Sequence, residues 1–353
     1  MKHDSLNVLL DRLQVELALD EDQRNQLRAG SQAPWWLSAL LGLAAWFSAS
    51  FFIVAFLGPW LLLIEGPVGR GLAGLLLLLA ALWLFRRGQS FAHQIALALS
   101  LTGQGLLIFV LAEHLQLELD NLRAPAVLSM LLAGILLWLP SSFLHRHVCA
   151  LVVLASAAVL VGSGTGLALY CLLLAACACA LWLGRVRWAT HPQAGRIRAI
   201  ADAATLLSLC LAATMHHQLL EPLLDLQKLA AARWTSAVYQ VGMGLLLLTV
   251  VAWLLRNMKR AAYWSGLGAT VVLVILAHPA PGLVLTLALG LAVFQASNRS
   301  WMALLPAFAA FYLFILYYSL HISLLQKSLV MVASGLVLLV GGLLLPRLLR
   351  VQP

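Results

Sequence analysis

Residues 234–255 read WTSAVYQVGMGLLLLTVVAWLL, a run of 22 residues that contains no Asp, Glu, Lys or Arg. A helix needs roughly 20 apolar residues to cross a hydrocarbon layer of about 30 Å, because each residue adds about 1.5 Å. The four consecutive leucines at 245–248 are not interrupted by polar residues, whereas in the strands of an outer-membrane barrel apolar and polar residues alternate. The stretch therefore predicts a membrane-spanning helix.

Runs of this kind fill the chain. Of its 353 residues, 63% are hydrophobic and 10% are charged, whereas soluble globular domains carry about 25% charged residues. We therefore predict an all-α, polytopic transmembrane helical bundle of about twelve spans, which occupies residues 34–346. The predicted spans are Trp35–Leu57, Gly69–Phe85, Phe91–Leu111, Ala124–Leu139, Val148–Val161, Gly166–Leu183, Ile200–Leu220, Trp234–Leu255, Ala262–Ala277, Pro281–Phe294, Trp301–Tyr318 and Ser328–Leu345.

One division between these spans rests on a short break. Gly162, Ser163, Gly164 and Thr165 separate two apolar runs, and they would have to form a tight turn between two short helices. Merging the two runs into one span would move the carboxyl terminus to the other side of the membrane. The even number of spans therefore depends on this break.

The basic residues predict an orientation. With the amino terminus inside the cell, 17 of the 22 Lys and Arg residues fall on the inner side of the twelve spans. This asymmetry is what the positive-inside rule describes. It predicts a multi-pass protein of the bacterial inner membrane, with both termini in the cytoplasm and a cytoplasmic tail at 347–353. The other basic residues lie outside: Arg70, Arg123, Lys228, Arg233 and Lys327.

Residues 1–33 have a different composition. Leu9, Leu13 and Leu17 recur at helical spacing, which predicts an amphipathic helix, and a capping-box pattern at Asp20 opens a second short helix. We therefore expect a cytoplasmic helical hairpin before the membrane. Because the segment holds six acidic residues and no apolar core, we expect the amino terminus to be retained rather than removed as a signal peptide.

The net charge of +9 does not indicate a nucleic-acid partner. The Lys and Arg residues stand singly or in small groups at the ends of apolar runs, where they determine topology. The chain also lacks a Walker loop, a Gly-x-Ser-x-Gly elbow, a His-Glu-x-x-His motif and a haem-type Cys-x-x-Cys-His motif. An ATPase, a serine hydrolase and a metalloprotease therefore have no support, and we expect no cofactor.

Four polar side chains are candidates for an intramembrane polar site: His93, Gln94, Gln104 and Asp202. An ionisable group inside a bilayer costs at least about 2.5 kcal/mol on insertion scales, so a buried one is a functional candidate. Gln104 lies deepest, in the middle of the third predicted span. Its amide must find a partner within the bundle, and we favour a hydrogen bond between helices over a contact with substrate.

A second candidate is a metal or proton site on the outer side, where imidazoles and carboxylates follow several span ends. Its residues are Glu113, His114, His216, His217, Glu221, His278 and His321. Against a metal site, no His-x-x-x-His or Glu-x-x-His spacing occurs, and the adjacent His216 and His217 point about 100° apart on a helix. We therefore favour interfacial hydrogen bonding for these residues.

Three stretches carry a resemblance to a known family. They are Trp35-Trp36-Leu37 after the hairpin, Phe91-Ala92-His93-Gln94 with Gly103-Gln104, and Leu324-Leu325-Gln326-Lys327-Ser328. Over nearly the whole chain, the sequence resembles the bacterial polytopic proteins of domain-of-unknown-function family four-four-zero-one. The resemblance implies many spans, no established activity and no catalytic residue to carry over. It also implies joint action with a second membrane protein, of the family named for its Gly-Asp-Tyr signature.

These observations favour a membrane subunit or partner of another envelope protein, without enzyme activity, because deep polar residues are too few to line an evident substrate path. Two alternatives stay open. The spans divide six and six about the basic loop 184–198, a layout found in secondary transporters. A transporter or lipid-handling carrier would need a cavity that contains Gln104, His93 or Asp202. A membrane-embedded enzyme would need the outer His and carboxylate side chains to converge.

Overall fold

The computed structural model describes residues 66–87, 90–115, 122–214, 233–277 and 280–319, together with the single residues 47, 51, 325 and 332. Throughout these ranges the regular structure is helical, so the predicted all-α class is confirmed. The helices are α1 (Pro67–Phe85), α2 (Ser90–His114), α3 (Arg123–Trp138), α4 (Phe143–Val161), α5 (Thr165–Leu183), α6 (Arg185–Trp188), α7 (Ala194–Thr214), α8 (Arg233–Leu255), α9 (Arg260–Leu276), α10 (Pro281–Gln295) and α11 (Arg299–Ser319).

Six of the described helices are long and apolar enough to cross a membrane, which makes the chain a multi-pass membrane protein. They comprise α1, α4 and α5 in full, and the segments Ala92–His114, Thr235–Leu255 and Arg299–Tyr317 of α2, α8 and α11. Three shorter apolar helices, α3, α9 and α10, accompany them. The number of about twelve spans and the orientation of the termini remain predictions.

Ten of the twelve predicted spans coincide with described helices, but two helices begin earlier than predicted. Helix α4 begins at Phe143 rather than Val148, and α7 begins at Ala194 rather than Ile200. Both added segments carry Arg or His residues, which lower the hydropathy without breaking a helix. Apolar patterning therefore marks the part of a helix that lipid can cover, and the helix continues beyond it.

Several predicted features lie outside the described residues. They are the hairpin at 1–33, the spans 35–57 and 328–345, and the tail at 347–353. The break between the fifth and sixth predicted spans is described and is confirmed. Helix α4 ends at Val161 and α5 begins at Thr165, and Gly162 and Gly164 both have positive φ angles, of 81° and 78°. Such angles favour glycine.

The described helices fall into two compact units, of which the first contains α1 and α2. The two helices are antiparallel and approach closely at Gly74 and Gly103. A Cβ atom added to Gly103 would lie 2.8 Å from the carbonyl oxygen of Gly74. Small residues permit this kind of backbone approach between membrane helices, where packing replaces the hydrophobic effect as the main cohesive force.

The second unit contains α3 to α11, and its core is rich in alanine. Helix α7 packs against α4, α5 and α10, while α10 also packs against α8 and α11. Larger side chains such as Leu209, Leu285 and Leu289 fill the space between the backbones and have no exposed surface. The alanines with 2% exposure or less in this core are Ala168, Ala175, Ala178, Ala201, Ala204, Ala212, Ala288 and Ala292.

Replacement of Gly103 by alanine tests the close approach of α1 and α2. The added methyl group must push two backbones apart, so we expect the free energy of unfolding to fall by about 1–3 kcal/mol. Thermal unfolding of the purified protein in detergent measures the change. The control is Gly105→Ala in the same helix, where no described atom lies within 4 Å of the added Cβ. Equal melting temperatures for the two variants would contradict the packing described here.

Candidate functional site

The turns of the second unit that carry most of its arginines gather at one end. The start of α4 and the α5–α7, α8–α9 and α10–α11 connections are all on this side, because the long helices of the unit alternate in direction. We call this the basic end. Its Lys and Arg residues are Arg146, Arg185, Arg187, Arg196, Arg198, Arg256, Lys259, Arg260 and Arg299. The sequence predicts that each of these residues faces the cytoplasm.

A buried carboxylate, that of Asp202, lies at the basic end within α7. The residue is 8% exposed. Its Oδ1 accepts a hydrogen bond of 2.5 Å from the indole Nε1 of Trp301 on α11, and its Oδ2 lies 3.8 Å from the Nε of Arg198, one turn earlier on α7. A hydrogen bond to an ionised group is stronger than a neutral one, so this contact joins the ends of α7 and α11.

The segment that leads into α11 is held from two directions. The Oδ1 of Asn298 accepts hydrogen bonds from the backbone N–H groups of Ser300 at 3.2 Å and Trp301 at 3.5 Å, which is the capping arrangement expected of an Asn that precedes a helix. The guanidinium of Arg185 donates to the carbonyl of Ala296. These bonds fix Trp301 in the position from which it reaches Asp202.

A further bond joins α5 to α7 one turn deeper. The indole Nε1 of Trp182 donates to the hydroxyl of Thr205 at 2.8 Å, and that hydroxyl donates to the carbonyl of Ala201 at 2.8 Å. Every residue of this chain of contacts is buried. The polar network around Asp202 therefore clamps α5, α7, α10 and α11 together, and its carboxylate is already bonded to groups of the protein.

Both arginines at the start of α7, Arg196 and Arg198, lie over aromatic rings. The guanidinium of Arg196 is 5.1 Å from the ring centre of Trp138 and donates to the carbonyl of the same residue at 2.9 Å. The guanidinium of Arg198 is 5.1 Å from the ring centre of Phe143. Such cation–π contacts hold charged groups beside the apolar ends of α3 and α4.

A cavity of about 340 Å³ opens at the basic end between α5 and α8. We call it the α5/α8 groove. Ala176, Ala180 and Gly184 line it on one side, and Val250 and Trp253 line it on the other. Arg187 of α6 stands at its rim. The groove is not lined by Gln104, His93 or Asp202, the residues that the sequence analysis would place in a transport cavity.

In the first unit, the predicted polar residues of α2 bond locally. The Nε2 of His93 lies 3.2 Å from the carbonyl of Phe85, and Gln94 is half-buried. The buried amide of Gln104 donates to the hydroxyl of Ser100 at 3.1 Å. This bond lies within α2, whereas the sequence analysis favours a bond between helices, since residues four apart share one face of a helix.

Two residues of the predicted outer site are described. Glu113 forms an ion pair with Arg70 of α1, with 3.1 Å between Oε2 and Nη2, and the neighbouring His114 is exposed. The other predicted members lie outside the described residues: His216, His217, Glu221, His278 and His321. Among the residues that are described, no group of three His, Cys, Asp or Glu side chains is placed to hold a metal ion.

No sequence motif predicts a functional role for Trp301, Asn298 or Arg187. Local signals exist for part of the network, because Asn before a helix is a capping pattern and Arg198 precedes Asp202 by one turn. The pairing of Trp301 with Asp202 has no such signal, since 99 residues separate the two. It follows from the packing of α7 against the end of α11.

Comparison with known proteins identifies one family. The family model described as "Domain of unknown function (DUF4401)" matches residues 34–348. No curated protein and no solved structure matches the chain.

Replacement of Trp301 by phenylalanine tests the polar network around Asp202. The variant keeps an aromatic ring but removes the donor, so we expect the free energy of unfolding to fall by about 1.5–3 kcal/mol. Thermal unfolding in detergent measures this loss. Trp264→Phe, at a position that is 61% exposed, is the matched control. In an Asp202→Ala background, which lacks the oxygen that accepts the indole N–H, the effect of the Trp301 change should shrink, and an unchanged effect there would show that lost ring volume, and not the hydrogen bond, is responsible.

Proposed function

Because the chain belongs to the family described as domain of unknown function (DUF4401), over residues 34–348, no activity can be transferred to it, and we propose a function from its geometry. We propose that it is an inner-membrane protein that acts as the membrane subunit or partner of a second membrane protein, without catalysing a reaction. The transmembrane bundle at 34–346 and the cytoplasmic segments at 1–33 and 347–353 are parts of this proposal.

The observation that carries the proposal is the outward face of α9. The structure describes all 17 residues of this helix, and none of them is buried. Ala261, Ser265 and Gly268 are exposed and lie four and three residues apart, so they share one face. No described atom lies within 4 Å of the position that a Cβ would take at Gly268. Within the part of the chain that the structure describes, the face is therefore open to a neighbour.

Small residues distinguish this face from a surface made for lipid alone. In membranes they allow two helix backbones to approach, and helix interfaces are enriched in them. The opposite side of α9 already makes a close contact of this kind within the fold. There Val274 packs on Gly244 of α8, and a Cβ atom added to Gly244 would lie 2.6 Å from the Cγ1 of Val274. The open face offers the same kind of surface to a transmembrane helix of another protein.

The filled centre of the second unit supports a binding role over transport. Leu285, Leu289 and Val293 of α10 have no exposed surface, and neither have Leu209 of α7 and Ala175 of α5. Buried apolar side chains thus occupy the space between these three helices. A carrier needs a site near the middle of the membrane that opens to alternate sides, and burial of these residues against one another disfavours an open site among them.

A photo-crosslinking experiment tests the proposal in cells. We expect benzoylphenylalanine at Ser265 to give a discrete protein adduct on illumination, because the reactive group would lie against a partner helix. The control places benzoylphenylalanine at position 173 of α5 instead. Leu173 is 66% exposed and belongs to an aliphatic surface, so this variant should give no protein adduct. The partner would be identified by mass spectrometry of the adduct.

Substitution of Gly268 by leucine completes this test. The position is open in the structure, so the variant should fold, but the larger side chain would keep a partner helix at a distance. We expect recovery of the crosslinked partner with a tagged copy in detergent to fall at least about tenfold, since a 1.4 kcal/mol loss gives that factor. Lipid adducts alone at Ser265, or a self-adduct of two copies of the chain, would overturn the proposal of a second membrane protein.

A further inference from the structure

The α5/α8 groove has a closed end and an open end. The two helices run in the same direction and touch where they begin, with 2.9 Å between the hydroxyl oxygens of Thr165 and Thr235. Further along, Leu172 packs closely on Gly242. A Cβ atom added to Gly242 would lie 2.5 Å from the Cδ1 of Leu172. The helices are therefore in contact over their first halves, and the cavity of about 340 Å³ opens beyond, toward the basic end.

The interior of the groove is suited to a hydrocarbon chain. Ala176, Ala180 and Gly184 follow one another at intervals of four residues and form a smooth wall on α5, opposite Leu246 and Val250 of α8. The hydroxyl of Thr249, which also lines the groove, donates to the carbonyl of Leu246 at 2.7 Å and is satisfied locally. Apolar walls of this kind bind an acyl chain by the burial of its methylene groups, each worth about 0.8 kcal/mol.

The rim of the groove is positively charged. Arg187 is exposed, and within the part of the chain that the structure describes its guanidinium has no hydrogen bond, ion pair or ring contact. Trp253 lines the same rim, and the guanidinium of Arg256 lies 4.3 Å from its ring centre. The segment 184–198 contains four arginines and no acid. The nearest acid on α7, Asp202, is bonded to Trp301 and lies beside Arg198.

From these features we infer that the α5/α8 groove binds one anionic phospholipid, with an acyl chain along Ala176, Ala180 and Gly184 and the phosphate on Arg187. The fork of an arginine matches a phosphate with two parallel hydrogen bonds, and a tryptophan beside it is typical of the level of the headgroups. Anionic lipids of the cytoplasmic leaflet attract basic groups at that surface by about 1 kcal/mol each.

The charge of the rim decides between an anionic and a zwitterionic lipid. A phosphatidylethanolamine headgroup would bring an ammonium group beside Arg187 and Arg256, whereas phosphatidylglycerol brings a net negative charge. A free phosphate ion would use the rim but gain nothing from the apolar walls. The observations therefore favour a lipid with both a hydrocarbon chain and a net negative headgroup. This inference is independent of the partner proposed for α9.

Native mass spectrometry of the purified full-length chain tests the inference. The protein is titrated with phosphatidylglycerol and, separately, with phosphatidylethanolamine of the same acyl chains. We expect the first tight adduct to favour phosphatidylglycerol. Arg187→Gln should weaken the affinity for this lipid about fivefold, because one basic residue near a membrane surface contributes about 1 kcal/mol. Arg299→Gln removes an exposed arginine of the same basic end and should leave the adduct unchanged.

Two further measurements complete the test. Ala180→Trp fills the groove and should remove one tight phosphatidylglycerol adduct while weaker lipid adducts persist. Inorganic phosphate at millimolar concentration should not displace the lipid. Equal affinity for the two lipids, equal effects of the two arginine variants, or displacement by phosphate would each overturn the inference. Because Arg187 is exposed, its variant should fold, so the arginine comparison stands even where the Ala180 variant does not fold.

Discussion

Lipid offers no hydrogen bonds to a polypeptide, and this constraint determines most of what the described helices show. A backbone that crosses hydrocarbon must satisfy its own polar groups, which favours continuous helices. The polar side chains within those helices follow the same rule. The amide of Gln104 bonds to Ser100, and the hydroxyls of Thr102, Thr205 and Thr286 each donate to the carbonyl four residues earlier. These four side chains bond within their own helices, whereas the indoles of Trp182 and Trp301 bond between helices, to Thr205 and Asp202.

Cohesion between the helices then has to come from packing. Where water does not drive helices together, closeness of approach decides how much dispersion energy a contact gains. The chain meets this need with glycine and alanine at its contacts, such as Gly74 with Gly103 in the first unit and Ala168, Ala175 and Ala288 in the second. The same residue types occur on the outward face of α9, where we propose that a helix of a second membrane protein packs.

The sequence predicts the helices well because hydropathy reports directly on the lipid-covered length. It also predicts the break at 162–164 from its glycines. It misses the true starts of α4 and α7, since the arginines and histidines there interrupt hydropathy and not the backbone. The site is less predictable. Asp202 is a sequence candidate, but its partner Trp301 follows from tertiary packing, and Gln104 bonds within its own helix although pattern alone favours a bond between helices.

The short helix α6 explains why two arginines of one segment, Arg185 and Arg187, point in different directions. Arg185 is tied to the carbonyl of Ala296, and the indole of Trp188 donates to the carbonyl of Leu181 at 2.7 Å, so the helix cannot rotate freely. Residues two apart on a helix point about 200° away from each other. Fixing Arg185 toward α10 therefore directs Arg187 to the opposite side, where the α5/α8 groove opens. The bond between Arg185 and Ala296 therefore contributes both to the packing of the segment before α11 and to the direction in which Arg187 points.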